Sequence, residues 1–142
     1  MTNQRLLCAT DGSPSADKAV AFAVMLSAQL DMPITFLVVA SGDADRPVQV
    51  WDEERVLAGD LPPERELLTA LKSALDAGRR RIRLVRAFGE AAAPAIVHYA
   101  ERNNYHHIIV GSEGRTGAKR MLLGSVAQDI VQRAHCPVTV VR

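Results

Sequence analysis

Short runs of aliphatic, largely β-branched residues alternate along this chain with stretches whose apolar residues recur every three or four positions. Such runs are typical of buried strands, and such stretches are typical of amphipathic helices. The five strand-like runs are Arg5–Thr10, Ile34–Ala40, Arg81–Phe88, His107–Val110 and Val138–Val141. Strands that alternate with helices form a parallel sheet covered on both faces. We therefore predict an α/β fold with an open five-stranded parallel sheet.

Four helices are predicted between these strands. The first carries apolar residues from Ala16 to Leu30, with Ser13 as a plausible N-cap and Pro14 in its first turn. The second ends at Gly78. The third lies within residues 91–104 and the fourth begins near Val126.

Two segments are less regular. The connection Ser41–Pro63 is charged and contains three prolines, so it is either a functional flap or a partly ordered insertion. In the third strand, Arg81 and Arg83 alternate with aliphatic residues, which predicts a half-buried strand at a sheet edge.

The composition limits the class of protein. A chain of 142 residues is long enough for one domain, 1–142, and the net charge of +1 gives no general attraction to nucleic acid or membranes. No apolar stretch of signal or membrane-spanning length is present, so we expect a cytoplasmic protein.

Cys8 and Cys136 are distant in sequence and are interpreted as buried, inert thiols. His106 and His107 are adjacent and would face opposite ways on a strand, which makes them poor joint metal ligands.

The segment after the fourth strand has the pattern G-x2-G-x9-G-S, formed by Gly111, Gly114, Gly124 and Ser125. Glycines give access to unusual backbone conformations and let N–H groups approach a ligand, and a helix N-terminus attracts anions. The pattern is neither a P-loop nor the dinucleotide fingerprint. Alternatively, the glycines only make turns and Ser125 only caps the helix. With the strand order 3-2-1-4-5, this loop and Asp11 would share one crevice at the carboxyl edge of the sheet.

Together with "CATDGSPSADKAV" and "GSVAQDIVQRAHCPVTVVR", this loop resembles the ATP-binding branch of the universal stress proteins over nearly the whole chain. The resemblance implies a Rossmann-like fold of the adenine nucleotide alpha hydrolase type. It implies that backbone around the three glycines, with Ser125, holds the triphosphate, and that Asp11 and the backbone at Val39 hold the adenosine. The full set of predicted nucleotide-binding residues is Thr10, Asp11, Val39, Gly111, Ser112, Gly114, Arg115, Gly124, Ser125 and Val126.

The expected ligand is ATP with Mg²⁺, and no metal ligand is expected from protein side chains. Glu113 lies between the first two glycines, where its charge would repel phosphates. Either Mg²⁺ lies between them or the carboxylate points to solvent, and we expect the second. No acidic residue in the matched stretches is an obvious water-positioning base, and Asp129 is expected to be solvated or capping.

We therefore predict a regulatory stress-response protein that holds ATP and acts through assembly and partner binding, with at most slow hydrolysis. The alternatives are a nucleotide-free interaction protein of the same fold and a genuine nucleotide hydrolase. The family resemblance also implies a homodimer through the uncharged strand Val138–Val141.

Overall fold

One sheet of six strands lies at the centre of the computed structural model, which describes residues 4–113 and 123–142. The strands are β1 (Leu6–Ala9), β2 (Ile34–Ala40), β3 (Gln49–Trp51), β4 (Ile82–Phe88), β5 (His107–Gly111) and β6 (Val138–Val141). Among the described residues, the helices are α1 (Pro14–Leu30), α2 (Glu53–Leu57), α3 (Arg65–Asp76), α4 (Ala92–Arg102) and α5 (Ser125–Arg133).

The order of the strands across the sheet is β3-β4-β2-β1-β5-β6. Five of them, β4, β2, β1, β5 and β6, are parallel and correspond to predicted strands three, two, one, four and five. The predicted order is therefore confirmed. The direction in which strands are added reverses between β1 and β5, which makes this the switch point of the sheet.

The segment Ser41–Pro63 corrects three predictions. It adds strand β3 and helix α2, so the predicted counts of five strands and four helices are wrong. β3 pairs antiparallel with β4, with Trp51 opposite Leu84, so β4 lies inside the sheet and not at its edge. A strand of three residues is too short to show a period in sequence. Trp51 and Val56 are only 7% and 6% exposed, so these two side chains belong to the core, although most of the segment is exposed.

Arg86 shows how a strand containing arginines is accommodated inside the sheet. Its guanidinium donates to both carboxylate oxygens of Glu64, with 2.7 Å between Arg86 Nη2 and Glu64 Oε1, and also to Gln49. It also lies 5.1 Å from the centre of the Trp51 ring. β3 and the residue before α3 thus provide hydrogen-bond partners for this arginine inside the sheet.

Apolar side chains fill both faces of the sheet. On one face, Phe36 and Leu84 pack against α1 and α3. On the other, Leu37 and Val85 pack against α4 and α5. Each of these side chains is fully buried. Burying one such side chain contributes about 1.5–3 kcal/mol, so these layers hold the carboxyl ends of the strands in fixed positions.

Local signals at the helix ends are confirmed. Ser13 is the N-cap of α1, its hydroxyl accepts a hydrogen bond from the N–H of Ala16 at 3.2 Å, and Pro14 is the first helical residue. After α3, Gly78 has a φ of +81°, a left-handed conformation that favours glycine.

The two cysteines have different environments. Cys8 is fully buried, and this burial raises the pKa of its thiol to about 12. Cys136 is half-buried, so the prediction of burial is wrong for this residue.

The Nε2 atom of His107 lies 2.7 Å from Thr139 Oγ1 on β6, whereas His106 is exposed. Across residues 4–113 and 123–142, no helix is long and apolar enough to cross a membrane.

Candidate functional site

The carboxyl ends of β1 and β5 meet at the switch point of the sheet. Cys8 of β1 is beside Ile109 of β5, and the segments leading to α1 and α5 follow directly after these two strands. Two helix N-termini therefore start at the edge where open parallel sheets bind ligands. The predicted site residues that the structure describes lie at this edge.

The segment after β1 forms a tight turn built on side-chain oxygens. The N–H of Thr10 donates to the carbonyl of Leu37 on β2 at 2.9 Å, and the N–H of Gly12 donates to the Thr10 hydroxyl at 3.2 Å. Asp11 Oδ1 accepts the N–H of Ser13 at 2.9 Å. A carboxylate has about four acceptor positions, so this turn uses only part of the capacity of the half-buried Asp11. Making the turn and binding a ligand are thus compatible roles for this side chain.

Gly111, the last residue of β5, is constrained by packing. A Cβ atom at this position would lie 2.5 Å from the Ser15 hydroxyl oxygen and 2.6 Å from the Ser15 carbonyl carbon. The φ angle of Gly111 is not positive. Our interpretation that this glycine provides an unusual conformation is therefore wrong, and the close approach it permits is to α1.

Hydrogen bonds join the two ends of the loop that follows β5. The N–H of Ser112 donates to the carbonyl of Val141 at 2.8 Å, and the N–H of Gly124 donates to the carbonyl of Ser112 at 2.7 Å. Ser112 is buried, although it carries a hydroxyl. The loop is thus closed at its base by backbone groups, and this base is attached to the end of β6.

The start of α5 shows where Ser125 lies in this helix. Gly124 is the N-cap, and Ser125 is the first helical residue. No side-chain oxygen among the described residues caps this helix, so the alternative that Ser125 only caps it is wrong. The Ser125 and Val126 side chains are exposed next to the positive end of the helix.

The remaining predicted residues fall into two groups. Gly114 and Arg115 lie outside the described residues, as do Lys119 and Arg120, the other two basic residues of the loop. Val39 is half-buried near the end of β2 and pairs with Ala87 of β4. Its backbone is therefore at the same edge of the sheet as Asp11.

Two acidic residues, Asp129 and Glu113, lie near the loop. Asp129 forms an ion pair with Arg133 at 2.7 Å, one turn further along α5, which agrees with the solvated role expected for it. Glu113 is half-buried, and its backbone N–H donates to the Ser15 hydroxyl at 3.1 Å. Across residues 4–113 and 123–142, no group of three or more His, Cys, Asp or Glu side chains could hold a metal ion.

Sequence reasoning did not single out Ser15. Its hydroxyl lies 98 residues in sequence from the loop that it contacts. Within the sequence it is one of several serines near a helix start, and no periodicity or motif distinguishes it.

A cavity of about 780 Å³ lies beside the carboxyl end of β4, between residues 44–48 and α4. None of the predicted nucleotide-binding residues lines it. Its charged side chains, such as Asp45, Arg46 and Glu90, are exposed at the rim. In the described part of the chain, no buried side-chain polar atom lacks a hydrogen-bond partner, so no such atom in this cavity awaits a ligand.

The fold and the site geometry can be compared with known proteins. The model of the universal stress protein family matches residues 2–142. The chain belongs to the universal stress protein family. A universal stress protein of Methanocaldococcus jannaschii is 30% identical over 144 residues, an alignment that covers 98% of this chain and 82% of that protein. Universal stress protein YxiE of Bacillus subtilis is 30% identical over 151 residues, covering 97% of this chain and 98% of that protein.

Solved structures of universal stress proteins are similar over the whole chain. One, crystallised in complex with cAMP, has a TM-score of 0.73 and 26% identity and covers 98% of this chain and 97% of its own. Another, from Archaeoglobus fulgidus in complex with dAMP, has a TM-score of 0.68 and covers 100% of both chains. Its identity of 21% supports a similarity of fold alone.

Proposed function

We propose that this universal stress protein binds ATP at the switch point of its sheet and acts as a nucleotide-dependent regulator. One observation carries the proposal: the base of the loop after β5 is closed by Gly124 and Ser112 directly beside the starts of α1 and α5. Backbone N–H groups at helix starts attract phosphate oxygens. The related protein crystallised with cAMP supports a nucleotide as the class of ligand.

The roles of the described residues follow from their chemistry. The exposed Ser125 hydroxyl and the free N–H groups of the first turn of α5 would bind phosphate oxygens. The Asp11 carboxylate, with acceptor capacity left over from its turn, would accept hydrogen bonds from ribose hydroxyls. The backbone at Val39 and the buried Thr10 would border the adenosine.

Mg²⁺ would neutralise the phosphate charge of bound ATP without ligands from the described side chains, which offer no metal-binding group. Phosphoryl transfer requires a group that positions the attacking nucleophile. We assign that role to none of the described acidic residues, since Asp129 is already paired with Arg133. The protein would therefore hold ATP and hydrolyse it slowly at most.

We also propose that ATP binding acts through assembly, with a homodimer formed along β6. All four residues of this strand, Val138–Val141, are half-buried and lie at the edge of the sheet. Their backbone groups on the open side are available for pairing with a second copy of the chain.

A charge substitution at Ser125 tests the phosphate site. An aspartate in the first turn favours the helix, because its charge complements the helix dipole, but it repels phosphate. Ser125→Asp should therefore leave the free energy of unfolding unchanged or raised, and should weaken ATP binding at least about tenfold by titration calorimetry. Ser125→Asn is the uncharged control of similar shape and should bind ATP much more tightly than Ser125→Asp.

Adenosine, which carries no phosphate, should bind Ser125→Asp and the wild type equally. Parallel titrations with ATP, cAMP and dAMP establish which nucleotide the wild-type protein prefers. Wild-type protein that gives no heat signal with millimolar ATP would instead support the nucleotide-free interaction protein.

A further inference from the structure

Ser15 of α1 contacts both the start of the loop after β5 and the end of β6. The residue is in the first turn of α1 and is only 6% exposed. Its hydroxyl accepts the N–H of Glu113 at 3.1 Å, at the start of the loop after β5. The same hydroxyl donates to the carbonyl of Val141 at 3.5 Å, at the end of β6.

The contacts of Ser15 extend the closed base of the loop. The carbonyl of Val141 accepts a second hydrogen bond, from the N–H of Ser112, and the carbonyl of Ser112 accepts the N–H of Gly124. A short series of hydrogen bonds thus connects the start of the loop with the start of α5 and with the last residue of β6. Because these groups are buried or half-buried, their hydrogen bonds restrict motion more than surface bonds would.

Gly111 shows that this arrangement requires close packing. Only a residue without a Cβ atom fits against the backbone of Ser15, so β5 and α1 approach closely at this point. The Ser15 hydroxyl is thereby within hydrogen-bond distance of the loop.

We infer that Ser15 is a positioning residue, which holds the start of the nucleotide-binding loop against α1 and connects it to the end of β6. This inference rests on the proposed function. Without the hydroxyl, the Glu113 N–H loses its acceptor, and Glu113 has to be ordered at the time of binding. The nucleotide affinity should then fall, since ordering a segment on binding costs free energy.

The test compares Ser15→Ala with Ser27→Ala. Ser27 is the matched control, because it is a fully buried serine of the same helix whose hydroxyl donates to the carbonyl of Met32, far from the loop. Ser15→Ala should weaken ATP binding about fivefold, as expected for the loss of one ordinary hydrogen bond. Ser27→Ala should leave the ATP affinity unchanged even where it lowers stability. Ser15→Thr, which keeps a hydroxyl, should restore affinity relative to Ser15→Ala.

A second measurement does not depend on ATP. Amide hydrogen exchange of the nucleotide-free protein, followed by NMR, should show faster exchange at Glu113 in Ser15→Ala and not in Ser27→Ala. Equal protection of the Glu113 amide in wild type and Ser15→Ala would overturn the positioning role. An equal loss of ATP affinity in both alanine variants would overturn it as well. A wild-type protein that binds no nucleotide, but shows the expected change at Glu113, would refute the proposed function and leave the contact itself established.

Discussion

Gly111 and Ser15 are in such close contact that a β-carbon on the glycine would lie 2.5 Å from the serine hydroxyl oxygen. The backbone carbonyl carbon of Ser15 would be almost as close, at 2.6 Å. Backbone cannot move aside as a flexible side chain can. The packing of β5 on α1 therefore determines the residue type at the start of the candidate loop.

Gly111→Ala should destabilise the protein by about 1–3 kcal/mol, the usual cost of inserting extra volume into a packed site. Urea unfolding measures this difference. Gly89→Ala is the matched control, because a Cβ there would meet its nearest neighbours at 3.4 Å, which is an ordinary contact. If both variants lose the same stability, the cost comes from glycine replacement in general and not from the contact with Ser15.

The Glu64–Arg86 pair should make stability depend on pH. Hydrogen bonding to the Arg86 guanidinium lowers the pKa of the Glu64 carboxyl below its ordinary value of 4.5. The unfolded chain therefore takes up a proton at a higher pH than the folded chain does. The stabilisation is present above the unfolded pKa and is lost as the pH falls through the folded pKa.

Glu64→Gln should accordingly lower the free energy of unfolding at pH 7 by about 2 kcal/mol, in the range for hydrogen bonds to charged groups, and should flatten its dependence on pH below 5. Chemical denaturation at a series of pH values gives both quantities. Asp76→Asn removes the exposed i,i+4 pair with Lys72 and should change little. A Glu64→Gln profile parallel to that of the wild type would contradict the assignment.

Replacing Asp11 by asparagine and by alanine should have different effects on stability. Asparagine keeps an oxygen for the N–H of Ser13, so Asp11→Asn should retain the stability of the wild type to within about 0.5 kcal/mol. Asp11→Ala loses the turn and should cost about 1 kcal/mol. Both should weaken ATP binding, because the ionised carboxylate is the stronger acceptor for ribose hydroxyls. Calorimetric titration together with urea unfolding separates the two effects, and unchanged affinity in both variants would remove Asp11 from the site.

The edge of β6 can be tested without damaging the pairing of β6 with β5. The carbonyl of Pro137 accepts the N–H of Ile108 on β5, and the carbonyl of Val141 accepts the N–H of Ser112 just after β5. The backbone groups of the even-numbered Val140 therefore point to the open side. Val140→Pro removes only an outward N–H, which edge strands tolerate. Sedimentation should give a monomer for Val140→Pro and a dimer for wild type and Val140→Ala. A dimer that survives the proline would place the interface elsewhere.

Deletion of Val138–Arg142 is the stronger form of this experiment. It should give a monomer or an aggregate, because it also removes the acceptor of the Ser112 N–H and exposes β5. A dimer that persists after the deletion would exclude β6 as the interface.

Much of the fold was determined by the sequence itself, because the relevant interactions are local. Ser13 and Pro14 start α1, and Gly78 allows the chain to leave α3, through contacts within a few residues. The alternation of strand-like and helical stretches predicts a parallel sheet, since a parallel connection requires a crossover helix and has one hand. The glycine pattern also located the candidate loop correctly at the carboxyl end of β5.

Tertiary structure alone decided which residues serve packing and which remain accessible at the switch point. β3 could be recognised only from its pairing with β4. The position of Arg86 inside the sheet could be recognised only from its contacts with Glu64 and Trp51. The sequence showed Gly111 as a loop glycine, whereas its neighbour in space is Ser15, 96 positions earlier (111 − 15). Contacts between residues so distant leave no periodicity in the chain. They follow from the relative placement of α1, β5 and β6, which the packing of both faces of the sheet determines.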